Sequence, residues 1–296
     1  MLTDDQGPTS FGYARTVSTQ PLPDQATRVI EPTRGWSPIP IRELWRFREL
    51  LLAFTWRNVL VRYKQTVLGI LWAILQPFFL MVVFSIFFGH YAKVPSNGVP
   101  YPIFAYVALL PWTFFQNSLT QCSGVLVTNS NMLRKIYFPR LIMPISSVLT
   151  SLVDFVVAFT VLVGMMVYYH VHPDYVRLPA LLGLLLLVIV TAIGVGSMLA
   201  ALNVLYRDVQ YAVPFLIQIW SFASFVQIPP SLVPQPWRTV FGINPLAGVS
   251  TGFRWVLLSG PAPGAMLEVS IGVAIVILLA GLLYFRRMEP LFPDVV

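Results

Sequence analysis

The chain has 296 residues, 56% of them hydrophobic and only 10% charged, against about 25% charged in ordinary soluble domains. So few ionic groups cannot cover a water-exposed surface, which excludes a soluble globular protein and points to one that faces lipid. The formal net charge of +7 does not point to nucleic acid, because the Lys and Arg residues flank apolar runs instead of clustering with base-reading or stacking partners.

Residues 1–36 mix Pro, Thr, Asp, Gln and Gly. They lack the apolar core of a signal peptide and predict a flexible cytoplasmic tail. Residues 37–64 predict an amphipathic interface helix. In IRELWRFRELLLAFTWRNVLVRYKQT, Arg42, Arg46, Glu49 and Arg57 fall on one helical face and Leu44, Phe47, Leu51 and Phe54 on the other. Such a helix suits the membrane surface, with Trp45 and Trp56 at headgroup level and the arginines toward anionic lipid. A soluble helix docked on protein has the same pattern.

Six apolar runs of bilayer-crossing length follow within residues 65–288, at 67–88, 103–125, 141–169, 178–205, 212–228 and 266–285. Pro144 lies near the start of the third, predicting that this part tilts or rests in the interface. Residues 289–296 form a C-terminal tail. With both termini inside, Arg15, Arg28, Arg34, Arg42, Arg46, Arg48, Arg57, Arg62, Lys64, Arg134, Lys135, Arg140, Arg207, Arg286 and Arg287 are cytoplasmic, while Lys93, Arg177, Arg238 and Arg254 are outside. That excess of basic residues on one side sets the orientation.

Between the second and third runs, TNSNMLRKIYFPR is polar and basic at Asn129, Asn131, Arg134, Lys135 and Arg140 yet carries Met132, Leu133, Ile136, Tyr137 and Phe138. Apolar side chains in a short loop suit a small helix seated in a partner's groove, and equally an anchor for the next span. After the fifth run, residues 229–263 are apolar but interrupted by seven prolines, so no helix crosses the bilayer there. A pair of short re-entrant helices is expected, with its backbone satisfied inside protein.

Chemical motifs are few. No Gly is followed by Lys, so the phosphate-binding loop of a nucleotide hydrolase is missing, and any ATP-driven work requires a separate subunit. His170, His172 and Asp174 stand close in sequence, but a metal site needs three or four converging ligands, and a solvated loop is expected instead. Cys122 lies in an apolar run and reads as a packing residue. Asp154 is the charged residue near the middle of a span, functional by default and with an unidentified partner. Trp72, Tyr106, Trp112 and Phe115 are candidates to line a channel, since ring faces stack on the C–H faces of sugars.

Four stretches in this order, VRYKQTVLGILWAILQPFFLMVVFSIFFG, NSNMLRKIYFPRLIMP, LNVLYRDVQY and INPLAGV, resemble the polysaccharide and polyol-phosphate export permeases of the ABC superfamily, over residues 41–287. The resemblance implies an all-α integral membrane protein of six transmembrane helices in the bacterial inner membrane. It implies a homodimer joined to two ATP-binding subunits that moves a lipid-linked glycan outward. ATP and Mg are then bound by the partner subunit, and no cofactor by this chain. By the same resemblance Asn131, Met132, Leu133, Arg134, Lys135 and Ile136 form the coupling helix, residues 41–64 an interface helix that also touches the ATPase, and residues 229–258 a gate. Tyr206, Arg207 and Asp208 match a second cytoplasmic contact. An ion-coupled carrier and a membrane-embedded component of glycan assembly are the rival classes.

Overall fold

A computed structural model describes residues 41–64, 66–135 and 138–292; the expected N-terminal tail, the second half of the C-terminal tail and Ile136 lie outside them. The described residues are helical with no strand. Two pieces, α1 (Ile41–Arg46) and α2 (Arg48–Lys64), stand where one interface helix is expected. The first apolar run is α3 (Leu71–Phe84), prolonged by a π-helical segment, Ser85–Tyr91. Gly89 in that segment lies against the ring of Tyr101, where an added Cβ would come within 2.9 Å of the ring, so the chain turns back closely into α4 (Tyr101–Thr128).

Helix α4 is the axis of the fold. Every residue from 103 to 115 is buried, and α3, α6 (Ile142–Tyr168), α7 (Ala180–Leu205), α8 (Val209–Phe222) and α10 (Pro245–Leu257) all pack on it. The six-residue α5 (Ser130–Lys135) links α4 to α6. Helix α9 (Gln235–Phe241) precedes α10, and α11 (Ala265–Met288) closes the chain.

Four segments are long and apolar enough to cross a membrane: Leu71–Tyr91, Ile142–Tyr168, Ala180–Leu205 and Ala265–Leu291. Helix α4 has the length, about 42 Å at 1.5 Å per residue, but Gln116, Asn117, Thr120 and Gln121 dilute its apolar character. Helix α8, with 14 residues, spans about 21 Å, less than the hydrocarbon core of roughly 30 Å. It ends at Phe222, not near 228 as the apolar run suggests, because the backbone breaks there and Phe225 takes a φ of 53°. In the third run Pro144 occupies the first turn of α6, where its missing N–H has no helical partner to lose, and the helix runs unbroken to Tyr168.

The spans pack through small residues. A Cβ on Gly281 of α11 would overlap the carbonyl of Gly194 in α7, and one on Gly194 would lie 2.8 Å from the backbone of Leu278. Removing both side chains brings the helix backbones together, the contact that substitutes for the hydrophobic drive absent within lipid. Gly196 abuts Cys122, a buried packing residue whose Sγ faces the carbonyl of Pro144 at 3.3 Å.

Candidate functional site

At the end of the bundle that carries α5, a cluster built on Phe54, Phe138, Leu141, Ile142, Val204 and Phe285 joins α2, α6, α7 and α11. Leu44, Phe47 and Leu51 pack half-buried against it, while Arg46, Glu49 and Arg57 are exposed. Met132 and Leu133 also pack on this cluster. The two apolar side chains expected to enter a partner's groove are therefore half-buried against the chain's own cluster, and of the α5 side chains described, Asn131 and Lys135 are exposed. Arg57 ties α2 to the same corner by donating to Asn129 Oδ1 at 3.0 Å, with Met132 Sδ 3.8 Å away. Arg42 and Arg134 belong to α1 and α5. The turn between α7 and α8 exposes Tyr206, Arg207 and Asp208, and Asn203 Oδ1 accepts from the amide of Gln210 across it at 3.2 Å.

The partner of Asp154 is α2. Its carboxylate, 10% exposed, receives the guanidinium of Arg62 and the hydroxyl of Tyr63. Helix α2 packs along α6 from Phe138, whose ring centroid is 5.6 Å from that of Phe54, to Asp154. One side of α2 is therefore held by the permease's own helices, through Phe54 on Phe138 and through the ion pair on α6. Burial, followed by the hydrogen bond to Asp154, pushes the Tyr63 hydroxyl above the usual phenol range. A small cavity opens beside the pair, lined by Pro77, Thr113, Asn117 and Asp154 among others.

At the opposite end, the proline-rich segment folds into α9 and α10, and α10 is buried at all but one position against α4, α7 and α11. Arg254, counted above among outer-loop charges, is 4% exposed. Its guanidinium donates to the carbonyls of Phe104 (3.2 Å), Phe225 (2.7 Å), Val226 (2.7 Å) and Ile228 (3.3 Å) and lies 3.7 Å from the Phe104 ring centroid. Asn244 caps α10 through Leu246 N, accepts from Trp220 Nε1 at 2.9 Å and donates to the carbonyl of Ala223. Tyr101 donates to the carbonyl of Gln227. Five carbonyls exposed by the break after α8 are thus satisfied by three side chains from α4 and from α10 and its cap. Sequence reasoning missed this knot, although an arginine with apolar residues on both sides, as in GFRWVLL, signals a buried partner.

Of the four channel-wall aromatics, Trp72 is 53% exposed. Tyr106, Trp112 and Phe115 are core residues: Tyr106 donates to the carbonyl of Ala158, and Phe115 meets Trp220 edge-on with centroids 5.1 Å apart. No ring face of these three is open to a passing polymer in this chain, because the packing of α4 against α6, α7 and α8 uses them.

A family model described as "ABC-2 type transporter" matches residues 49–258. The O-antigen export system permease protein RfbA of Myxococcus xanthus is 28% identical over 244 residues, covering 81% of this chain and 92% of that protein. A protein of the same name from Klebsiella pneumoniae is 22% identical over 83% of this chain and 95% of its own length. The polysialic acid transport protein KpsM of Escherichia coli is 23% identical over 79% of this chain and 91% of its own length.

Proposed function

Because the chain belongs to the ABC-2 type transporter family, we propose that it is the permease subunit of an ATP-driven exporter moving a lipid-linked cell-surface polysaccharide out of the cytoplasm. The observation that carries this reading is the extent of the family match, which runs from α2 to the end of α10 and so takes in the α5 corner, the Asp154 pair and the α9–α10 knot. The relatives named for O-antigen export and polysialic acid transport supply the substrate class.

The working unit in this reading is two copies of the chain and two ATP-binding subunits, which hold ATP and Mg, in the bacterial inner membrane with both termini cytoplasmic. Helices α3, α4, α6, α7, α8 and α11 make six spans, α8 reaching the far face with the help of the knot beyond Phe222, and α9 and α10 re-enter from outside as a gate. Coupling runs through residues 131–136, with Asn131 and Lys135 as contacts to the ATPase while Met132 and Leu133 anchor the segment to the permease. Arg207 and Asp208 form a second contact. Because α2 touches both the α5 corner and Asp154, a push at α5 has a rigid route to mid-span.

The test is deletion of the chain in its native host, followed by complementation and by ATP hydrolysis measurements on purified material. Loss of surface polysaccharide with cytoplasmic accumulation is expected, with ATP turnover only when an ATP-binding subunit copurifies. Unchanged surface polysaccharide, or turnover by the chain alone, overturns the reading.

A further inference from the structure

Helix α4 contains no Asp, Glu, Lys or Arg, and its two halves differ. Above Gln116 its surface is buried on nearly every side; below, one face opens. Gln116, Asn117, Gln121 and Gly124 are half-buried there and Thr120 and Thr128 exposed, positions that follow one another at helical spacing on a single stripe. Thr120 donates back to the carbonyl of Gln116 at 2.9 Å, but the amide side chains on the outside of a helix this apolar cannot all face hydrocarbon without losing hydrogen bonds.

Helices α3 and α8 pack on α4, and each exposes a ring of its own, Trp72 at 53% and Phe215 at 65%. Gln121 is oriented by its Nε2, which donates to Ser151 Oγ at 2.5 Å and to the carbonyl of Asn117 at 3.2 Å. Asn117 in turn borders the cavity that contains Asp154, whose partner Arg62 keeps 32% of its side chain exposed. The polar stripe therefore leads from the α5 end to a charge pair with an open edge.

We infer that Gln116, Asn117, Thr120 and Gln121 are a wall of the polysaccharide path, offering amide and hydroxyl groups to sugar hydroxyls and to the water that moves with them. The inference rests on the exporter reading and names the surface that performs it. Amides both donate and accept, so they exchange partners as successive sugars pass, and a stripe without fixed charge grips no single position of a neutral chain. A conduit of this kind needs contacts weak enough to release what they bind. The stripe replaces Tyr106, Trp112 and Phe115, which the core consumes.

Cysteine substitution in the complete exporter tests this. Wild type carries one thiol, Cys122, which is buried and gives the background. In vesicles open to reagent on both faces, Asn117→Cys and Thr120→Cys are expected to react with a membrane-impermeant maleimide about tenfold faster than Ile275→Cys on the lipid side of α11, because a thiol ionises and reacts in water and not in hydrocarbon. Labelling is expected to block export. Gln116→Leu and Thr120→Leu should each lower surface polysaccharide several-fold per inserted permease. Reaction as slow as at Ile275→Cys overturns the inference, and so does oxidative cross-linking of Thr120→Cys between two copies without maleimide reaction, which marks a seam between copies. Either result with export still dependent on the unmodified chain leaves the exporter reading intact; export independent of the chain removes both.

Discussion

Arg254 and Arg62 both reach into the apolar bundle, and they are held differently. Among the described residues Arg254 pairs with no carboxylate: four carbonyls from α4 and from the turn after α8 take up its guanidinium. Arg62 reaches from α2 to a single carboxylate, Asp154 of α6, and a third of its side chain remains exposed. A guanidinium locked by many fixed carbonyls is a structural bolt, since every partner is itself part of the backbone. A guanidinium paired with one side chain at an exposed edge can part from it and rejoin, which suits a joint between α2 and the spans.

Breaking the bolt is expected to have the largest effect. Arg254→Met strips hydrogen bonds from four carbonyls, each costing about 1–3 kcal/mol when buried and unpaired, so little folded protein should survive detergent extraction. Arg254→Lys keeps the charge but lacks the planar fork and should rescue only a minor share. A normal yield and melting temperature for Arg254→Met would show that the knot is dispensable.

The joint should yield less. Asp154→Ala leaves Arg62 unpaired, but that arginine can turn its head toward water, so a loss of about 1–3 kcal/mol is expected rather than the 3–5 of a sealed pair. Arg62→Met combined with Asp154→Met should recover most of the stability and yet export poorly, because the link between α2 and α6 is gone. A double variant that exports at the wild-type rate removes the joint's role in transport.

At the exposed corner stability should hardly move. Lys135→Glu alters an open surface position and is expected to cost within about 0.5 kcal/mol, while lowering polysaccharide-linked ATP turnover through the reversed charge at the proposed contact. Unchanged coupling would place that contact elsewhere.

Much of the fold is legible along the chain. The run at 67–88 becomes Leu71–Tyr91, that at 178–205 becomes Ala180–Leu205, and that at 266–285 lies within α11, since hydropathy summed over about 20 residues is a local property. The site was legible only in part. Asp154 could be singled out as a charge that needs a partner, but Arg62 lies 92 residues away and shares no local signal with it. The aromatics mislead for a related reason: Trp72 beside lipid or lumen and Phe115 in the core sit in equally apolar sequence.

The amino-acid sequence by itself determined that the chain is a helical membrane protein, where most of its helices run, that it lacks a phosphate-binding loop, and which family its motifs resemble, because these depend on residue type and short spacing. Only the tertiary structure decided that Arg254 is a buried bolt instead of an outer-loop charge, that α2 lies along α6, that Met132 and Leu133 rest half-buried on the permease's own core, and that a polar stripe of α4 is left open. Each of those depends on how a helix is rotated and what packs beside it. The contacts between distant residues set that rotation, and a pattern read along one segment does not contain it.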